Sequence, residues 1–156
     1  MKRMHIHAGV ERLDQAITFY SALFGEEPNK TRPDYARWML DDPRINFAVS
    51  TRGKSAGVDH LGIQVDDAGE LGDLRARLKA ADLSTFDEGE TVCCYARSEK
   101  TWVEDPAGIA WEAYNTMDDV QFFGSDDIAS ESACCAPEGE PVAQDRPANQ
   151  ASGCCG

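Results

Sequence analysis

The sequence predicts an α+β fold made of two matched βαβββ modules, at about residues 1–50 and 58–116. An internal repeat is the first observation behind this prediction. The segments HIHAGV and HLGIQV, which begin at His5 and His60, each place a histidine five residues before a valine in an alternating, strand-like run. An amphipathic helical pattern follows each run, and short strand patterns follow each helix. Two such modules can pair into one curved sheet with a metal-binding cleft between them.

The first module is expected to contain a helix over Asp14–Phe24. Ile17, Tyr20 and Phe24 fall on one face of this helix, and Gly25 follows as a stop signal. The later strands of this module are expected at Tyr35–Leu40 and Ile45–Ser50.

The second module begins after a short linker, Thr51–Gly57, and repeats the pattern. Leu71, Leu74 and Leu78 share one face of a helix expected over roughly Ala68–Ala81. Its later strands are expected near Thr85–Glu88, Thr101–Glu104 and Ile109–Tyr114.

The formal net charge of −13 is concentrated towards the C-terminus, where residues 117–156 hold eight acidic residues and one basic residue. This stretch is poor in periodic apolar residues, so we expect a folded domain over residues 1–123 and an acidic, disordered tail over 124–156. An acidic chain without a basic stripe is a poor partner for nucleic acid or anionic membranes. The sequence has no membrane-length apolar run and no signal-peptide pattern, so we expect a cytoplasmic monomer or homodimer.

Two histidines are the first candidate metal ligands. A single strand histidine is more often a structural residue, but the repeat presents His5 and His60 at the same position of both halves. His7 competes with His5, because residues two apart on a strand face the same side. Since His7 corresponds to Gly62 in the repeat, we favour His5 as the ligand. We expect His7 beside the ligands or in the substrate cleft.

Glu112 is the third candidate ligand. It lies in the strand pattern GIAWEAY among apolar residues, where an ionised carboxylate needs a partner such as a metal; a partly exposed edge-strand glutamate is the alternative. Aligning RINFAV with GIAWEAY places Ala48 opposite Glu112, so the first module supplies no fourth side-chain ligand. Two histidines and one carboxylate with open coordination positions are typical of non-haem Fe(II) sites that react with O2.

The six cysteines occur as three adjacent pairs, Cys93–Cys94, Cys134–Cys135 and Cys154–Cys155. Adjacent pairs in a chain without an export signal favour reduced thiols that bind soft metals or metalloids. The first pair lies in the extra length of the second module, so we expect it on a loop over the cleft, where Arg97 and Lys100 favour the thiolate. Inert buried thiols, and tail pairs without a role, are the alternatives.

Over about residues 3–123 the chain resembles the vicinal oxygen chelate superfamily, which includes glyoxalases, extradiol dioxygenases and bleomycin-resistance proteins. The segments AITFYSALFGEEP and DHLGIQV carry the general resemblance. The adjacent cysteines, followed by KTWV at residues 100–103 and then by Trp111-Glu112, are similar to one branch, the organoarsenical carbon–arsenic lyases and their cadmium-induced relatives.

This resemblance implies Fe(II) bound by His5, His60 and Glu112. His7 departs from the branch, in which we do not expect a histidine at this position throughout, and we expect His7 and Lys100 beside the ligands. It implies that Cys93 and Cys94 bind trivalent organoarsenicals, whose carbon–arsenic bond is cleaved with O2 to release arsenite. Cysteine-rich tails also occur in the branch, so the four tail cysteines fit an arsenic-binding role. Two other hypotheses stay open: a cysteine-based cadmium or arsenite sequestration protein, and a glyoxalase or thiol transferase using another metal. Ala48 weighs against the glyoxalase hypothesis, because glyoxalases resemble four-ligand sites and alanine supplies no fourth ligand.

Overall fold

The computed structural model describes residues 1–53, 55–93 and 95–119. The elements, in chain order, are β1 (Arg3–Gly9), α1 (Leu13–Phe24), β2 (Lys30–Arg32), β3 (Tyr35–Asp41), β4 (Arg44–Ser50), β5 (Gly57–Val65), α2 (Ala68–Ala80), β6 (Thr85–Cys93), β7 (Ala96–Glu104) and β8 (Ala110–Asp119). Neither helix of the described residues is long and apolar enough to cross a membrane.

One mixed, eight-stranded sheet contains all of these strands, in the order β2-β3-β4-β1-β5-β8-β7-β6. Each half of the chain has the order strand, helix, strand, strand, strand. In each half the first strand pairs in parallel with the last, β1 with β4 and β5 with β8. The predicted α+β fold of two βαβββ modules is therefore confirmed.

The two modules meet where β1 and β5 pair antiparallel at the middle of the sheet. In this register His7 lies opposite His60 and His5 lies opposite Gly62. In the repeat, His5 corresponds to His60 and His7 corresponds to Gly62. Exchanging the two halves therefore converts the pair His7–His60 into the pair Gly62–His5. Residues far apart in sequence are thus brought to adjacent positions on one face.

Helix α1 covers the other face of the first module. The apolar residues of β3 and β4 that point towards it include Trp38, Phe47 and Val49, and Tyr20 of the helix packs on Phe47 with ring centroids 4.4 Å apart. Gly25 ends the helix as predicted, in a left-handed conformation in which its N–H donates to the carbonyl of Ser21. Because side chains alternate along a strand, this packing leaves the opposite face of the sheet for polar residues.

Helix α2 covers the second module in the same way. The side chain of Asp67 accepts a hydrogen bond from the N–H of Glu70 and so caps the start of the helix. Leu71 is fully buried against Val65 and Ala113, and Leu74 packs beside it. Leu71 and Leu74 of the predicted apolar face therefore pack in the core of this module.

The strands at the two edges of the sheet differ from the sequence prediction. The short strand Lys30–Arg32 was not predicted. Strands β6 and β7, Thr85–Cys93 and Ala96–Glu104, are much longer than expected. They pair as a hairpin in which Thr85 lies opposite Val103 at one end and Cys93 lies opposite Ala96 at the other. The expected loop around Cys93 is therefore wrong: the backbone of Cys93 ends β6, because pairing with β7 continues to the turn. Cys94 and the four tail cysteines lie outside the described residues.

Strand β8 also extends beyond the predicted end at Tyr114. It continues through Met117 to Asp119, within the expected domain of residues 1–123, whereas the tail expected over 124–156 lies outside the described residues. Pairing with β7 accounts for the difference, because Ser98 lies opposite Thr116 and Ala96 lies opposite Asp119. Backbone hydrogen bonds to a neighbouring strand support a polar segment that has no apolar periodicity of its own.

We predict that Gly62→Ala destabilises the protein by about 1–3 kcal/mol, the usual range for overpacking. A β-carbon at this position would lie 2.5 Å from the carbonyl oxygen of Glu112, so β5 and β8 would have to separate. The matched control is Gly72→Ala, where nothing lies within 4 Å. Since Gly72 is inside α2, this change should raise the free energy of unfolding by about 0.5–1 kcal/mol. Urea unfolding of both variants measures the effect, and equal stabilities would contradict the prediction.

Candidate metal centre

Three neighbouring strands bring four buried polar side chains to one face of the sheet. His5 and His7 lie on β1, His60 lies on β5 and Glu112 lies on β8, and each is at most 6 % exposed. Alternation along β1 sends Ile6 to the opposite face, against the core beneath α1. The structure thus brings together all three predicted ligands and the competing histidine.

Hydrogen bonds orient the imidazole of His5 towards the centre of this cluster. Its Nδ1 lies 2.9 Å from the backbone carbonyl of Asn46. Because a carbonyl can only accept, Nδ1 carries the proton and Nε2 has a free lone pair when the ring is neutral. Burial, opposed by Glu112 and reinforced by His60, lowers the pKa of His5 to about 4, so the ring is neutral near pH 7.

His60 is oriented in the same way by its neighbour in sequence. Its Nδ1 lies 2.6 Å from Oδ1 of Asp59. A carboxylate that accepts a hydrogen bond from Nδ1 fixes the ring with its other nitrogen directed inwards, an arrangement common behind metal-bound histidines.

The inward-facing atoms form a triangle of electron-pair donors. Nε2 of His5 lies 3.3 Å from Nε2 of His60, and Oε2 of Glu112 lies 3.8 Å and 3.7 Å from these two atoms. Atoms bound about 2.1 Å from one metal are separated by roughly 3.0–3.4 Å at octahedral or tetrahedral angles. With both Nδ1 atoms protonated, three acceptors face one another, and a cation between them satisfies all three. The donor set therefore fits a divalent metal after small movements.

Glu112 is held as an anion at the centre of this cluster. Its Oε1 lies 2.6 Å from Nζ of the buried Lys100. By distance this is an ion pair, but Oε1 has no well-directed hydrogen bond and keeps capacity for a cation. Burial would raise the pKa of Glu112, but Lys100, His60 and His5 outweigh it and lower this pKa to about 2.

His7 is an alternative third ligand. One ring nitrogen from each of His5, His7 and His60 lies within 4.8 Å of the others. Nε2 of His7 is 2.9 Å from Oγ of Ser50, so this nitrogen already has a hydrogen-bonding partner. Desolvation by burial, followed by the influence of His60 and His5, lowers the pKa of His7 to about 3. His7 is therefore a neutral ring beside the predicted donor triangle.

The strand register explains why the first module offers no counterpart to Glu112. In the parallel pair of β1 with β4, His7 lies opposite Ala48, and in the parallel pair of β5 with β8, Gly62 lies opposite Glu112. Ala48 thus occupies the equivalent position in the first module, as the alignment of the two halves predicts. A methyl group there leaves open space beside the donors.

Sequence analysis missed the residues that support the donors. Asn46 holds His5 through its carbonyl, and its Nδ2 lies 2.7 Å from the hydroxyl of Tyr114 and 3.0 Å from Oε1 of Gln64. The available signal was a polar residue at an inward position of the strand pattern RINFAV. Asp59 was visible in the segment DHLGIQV but was not given a role.

A small cavity of about 40 Å³ opens in front of the donor triangle. Residues of both modules line it, including Tyr35 and Ala48 from the first and Ala96, Ser98 and Tyr114 from the second. Since Cys93 pairs with Ala96, the end of β6 lies directly beside a strand that forms the cavity wall.

Comparison with known proteins links this architecture to one superfamily. A family model described as the glyoxalase/bleomycin resistance protein/dioxygenase superfamily matches residues 2–113. The chain is 38 % identical over 139 residues to a trivalent organoarsenical cleaving enzyme of Thermomonospora curvata, with 88 % of this chain and 90 % of that protein covered. It is also 38 % identical over 126 residues to a cadmium-induced protein of Mycobacterium bovis, with 80 % and 83 % covered.

Solved structures share the fold at low sequence identity. An extradiol ring-cleaving dioxygenase from B. fuscum superimposes with a TM-score of 0.57 at 16 % identity, covering 76 % of this chain and 34 % of that one. A Mn(II)-bound glyoxalase from Novosphingobium aromaticivorans gives a TM-score of 0.54 at 17 % identity, covering 78 % and 43 %. These similarities concern the fold alone.

We predict that His5→Ala, His60→Ala and Glu112→Ala each abolish stoichiometric binding of a divalent metal, because each removes one of the three donors of the triangle and Nε2 of His7 is already engaged by Ser50. His7→Ala should retain most of the binding and serves as the matched control, since it removes a neighbouring imidazole from the same cluster. Metal content after anaerobic loading with Fe(II) measures the result. Loss of metal in His7→Ala together with retention in His5→Ala would contradict the assignment.

We also predict that the metal-free protein loses stability as the pH falls below about 6.5. The pKa values of His5 and His7 are lowered from 6.5 to about 4 and about 3, so the unfolded chain binds more protons than the folded protein in this window. The stabilisation is therefore complete above pH 6.5 and is lost as the pH approaches these folded-state values. Each histidine contributes a slope of at most about 1.4 kcal/mol per pH unit. Urea unfolding between about pH 7.5 and 5 measures it, and His7→Asn should give a shallower dependence.

Proposed function

Because the chain belongs to the glyoxalase/bleomycin resistance protein/dioxygenase superfamily, we propose that it is a metal-dependent enzyme that cleaves the carbon–arsenic bond of trivalent organoarsenicals. In this proposal Fe(II) is the cofactor, O2 is the oxidant and arsenite is the inorganic product, so the reaction detoxifies arsenic. The observation that carries the proposal is the convergence of Nε2 of His5, Nε2 of His60 and Oε2 of Glu112 in front of a cavity.

The choice of substrate rests on the adjacent cysteines and on the relatives. Arsenic(III) is soft, and two thiolates bind it much better than the oxygen and nitrogen donors of the metal centre do. Cys93 is the last residue of β6, and it pairs with Ala96, which lines the cavity. The relatives in Thermomonospora curvata and Bacillus sp. (strain MD1) are both named trivalent organoarsenical cleaving enzymes, and the second is 39 % identical over 141 residues.

Different side chains supply different parts of the proposed reaction. When bound, Fe(II) supplies oxidative chemistry that side chains alone cannot perform. His5, His60 and Glu112 hold the metal, and Asn46 and Asp59 keep both imidazoles in the binding orientation.

Lys100 and the cysteines complete this division of roles. Lys100 keeps Glu112 ionised before the metal arrives. Thiolates that hold arsenic confine the carbon–arsenic bond to the neighbourhood of the cavity, and such positioning contributes a large part of enzymatic rate enhancement.

A direct assay tests the proposal. Protein loaded anaerobically with Fe(II) is mixed with methylarsenite or phenylarsenite, and arsenite release and O2 consumption are followed with and without air. We expect arsenite only when both iron and O2 are present, and none from the His60→Ala variant. Absence of arsenite from the iron-loaded wild type would overturn the proposal.

A sequestration protein for thiophilic metals is the second candidate, favoured by the similarity to a protein named cadmium-induced. In that case the cysteines would bind cadmium or arsenite stoichiometrically, with no turnover of organoarsenicals. A metal-dependent isomerase or thiol transferase would instead show turnover without O2. Arsenite release in the same assay therefore separates the lyase from the other two functions. Stoichiometric cadmium binding, measured beside turnover of a thiol-containing substrate without O2, separates those two from each other.

We predict that Cys93→Ser and Cys94→Ser each reduce arsenite release severely, by about 100-fold or more, while Fe(II) binding remains near wild type. Serine has a similar size but binds arsenic(III) weakly, and chelation requires both thiolates. The double variant should therefore be little worse than either single variant, as expected for residues that act as a unit. A double variant that releases arsenite at a near wild-type rate would remove the cysteines from the mechanism.

A further inference from the structure

Tyr95 lies at the tip of the β6–β7 hairpin in a conformation that needs support. It has a φ of 61°, in the left-handed region that bulky side chains rarely adopt. The side chain is nevertheless 6 % exposed, although hairpin tips are normally solvated. Surrounding residues must therefore hold both its backbone and its ring.

Four residues of the first module support Tyr95. The hydroxyl of Tyr95 donates to Oδ1 of Asp34 over 2.6 Å, and Nζ of Lys30 donates to its carbonyl over 2.5 Å. The ring centroid lies 5.7 Å from that of Tyr35, and the guanidinium of Arg32 lies 5.3 Å from the ring. Hydrogen bonds, a cation–π contact and ring packing thus act on one residue.

These contacts join opposite ends of the sheet. Tyr95 follows β6, the last strand in the sheet order, whereas its partners lie on or next to β2 and β3, the first two. In a flat sheet, strands six or seven positions apart would be separated by about 28–34 Å. Direct contact therefore means that the sheet curls until its two ends meet across the mouth of the cavity.

The charges around the hydroxyl favour a permanent hydrogen bond. Asp34 also forms an ion pair with Arg52, in the segment between the modules. Burial would raise the pKa of Asp34, but the bonds from Tyr95 and Arg52 outweigh it and lower this pKa. Burial and the bond to Asp34 raise the pKa of Tyr95 to about 12. The phenol therefore remains a donor and the carboxylate an acceptor at neutral pH.

We propose that Tyr95 is a positioning residue: by binding Asp34, it fixes the end of the β6–β7 hairpin beside the metal cavity. This inference rests on the proposed function. Tyr95 follows Cys94 directly in the chain, and Cys93 pairs with Ala96, whose side chain lines the cavity. Anchoring Tyr95 therefore limits where thiolate-bound arsenic can lie relative to the donor triangle.

The test compares the Tyr95→Phe variant, which lacks only the hydroxyl, with Tyr20→Phe. The control removes the hydroxyl of a half-buried tyrosine on α1, on the opposite face of the sheet. For Tyr95→Phe we expect the KM for phenylarsenite to rise about tenfold, the usual effect of losing a hydrogen bond to a charged group. The kcat should stay within about twofold and the Fe(II) content should not change, because the donor triangle is intact. Tyr20→Phe should leave all three quantities unchanged.

A second variant and a structural readout make the outcome decisive. Asp34→Ala should raise KM similarly, and the double variant Asp34→Ala/Tyr95→Phe should be no worse than either single one. Hydrogen exchange of the amides of residues 95–99 should accelerate in Tyr95→Phe but not in Tyr20→Phe. An unchanged KM and unchanged exchange, or a parallel fall of kcat and iron content, would overturn the inference. A wild type that releases no arsenite would instead sink the proposed function, and hydrogen exchange would still decide whether Tyr95 anchors the hairpin.

Discussion

The antiparallel pairing of β1 with β5 is the constraint on which the rest of the structure depends. It is the place where the two modules share backbone hydrogen bonds, and it sets His5 and His60 with their Nε2 atoms 3.3 Å apart. Shifting this register by one residue would turn the inward-facing side chains of one strand, including its histidine, to the opposite face, against the helices. The outer strands add to this pair on both sides, and β8 brings Glu112 next to the two imidazoles. The donor triangle is thus a property of strand pairing rather than of flexible loops.

Electrostatic balance is the second constraint. A carboxylate 3 % exposed would normally take up a proton, since burial penalises its charge. Here Lys100 provides one positive neighbour for Glu112, and the neutral ring of His5 adds no positive charge between the three donors. A divalent cation supplies that charge where the lone pairs converge. The same reasoning explains why Asn46 and Asp59 matter, because they determine which ring nitrogen holds its proton.

The sequence predicted the centre of the fold better than its edges. Apolar alternation and the repeat were sufficient for β1, β5 and both helices, and the alignment of Ala48 with Glu112 agrees with the strand register. The edges were harder because their stability comes from partners and not from periodicity. Lys30–Arg32 has three polar residues, and Thr85–Cys93 is largely polar with an irregularity between Asp87 and Gly89.

In the candidate site, too, the residues defined by local sequence patterns were predictable and those defined by distant contacts were not. Ligands that project from apolar strands were recognisable as buried polar residues, whereas the contacts of Tyr95 were not. They depend on the curvature of the whole sheet, which no local pattern encodes. Asn46 was missed for a related reason, because its carbonyl rather than its amide holds His5.

The position of Glu112 near the end of the folded domain has a consequence for the order of assembly. Strand β8 pairs with β5, more than forty residues earlier in the chain, so its docking requires the closure of a long loop. During synthesis the two histidines emerge first, and the carboxylate joins them only when the final strand has left the ribosome. A partly made chain therefore carries at most two of the three donors. If these three donors hold the metal as proposed, its tight capture waits until β8 has paired with β5.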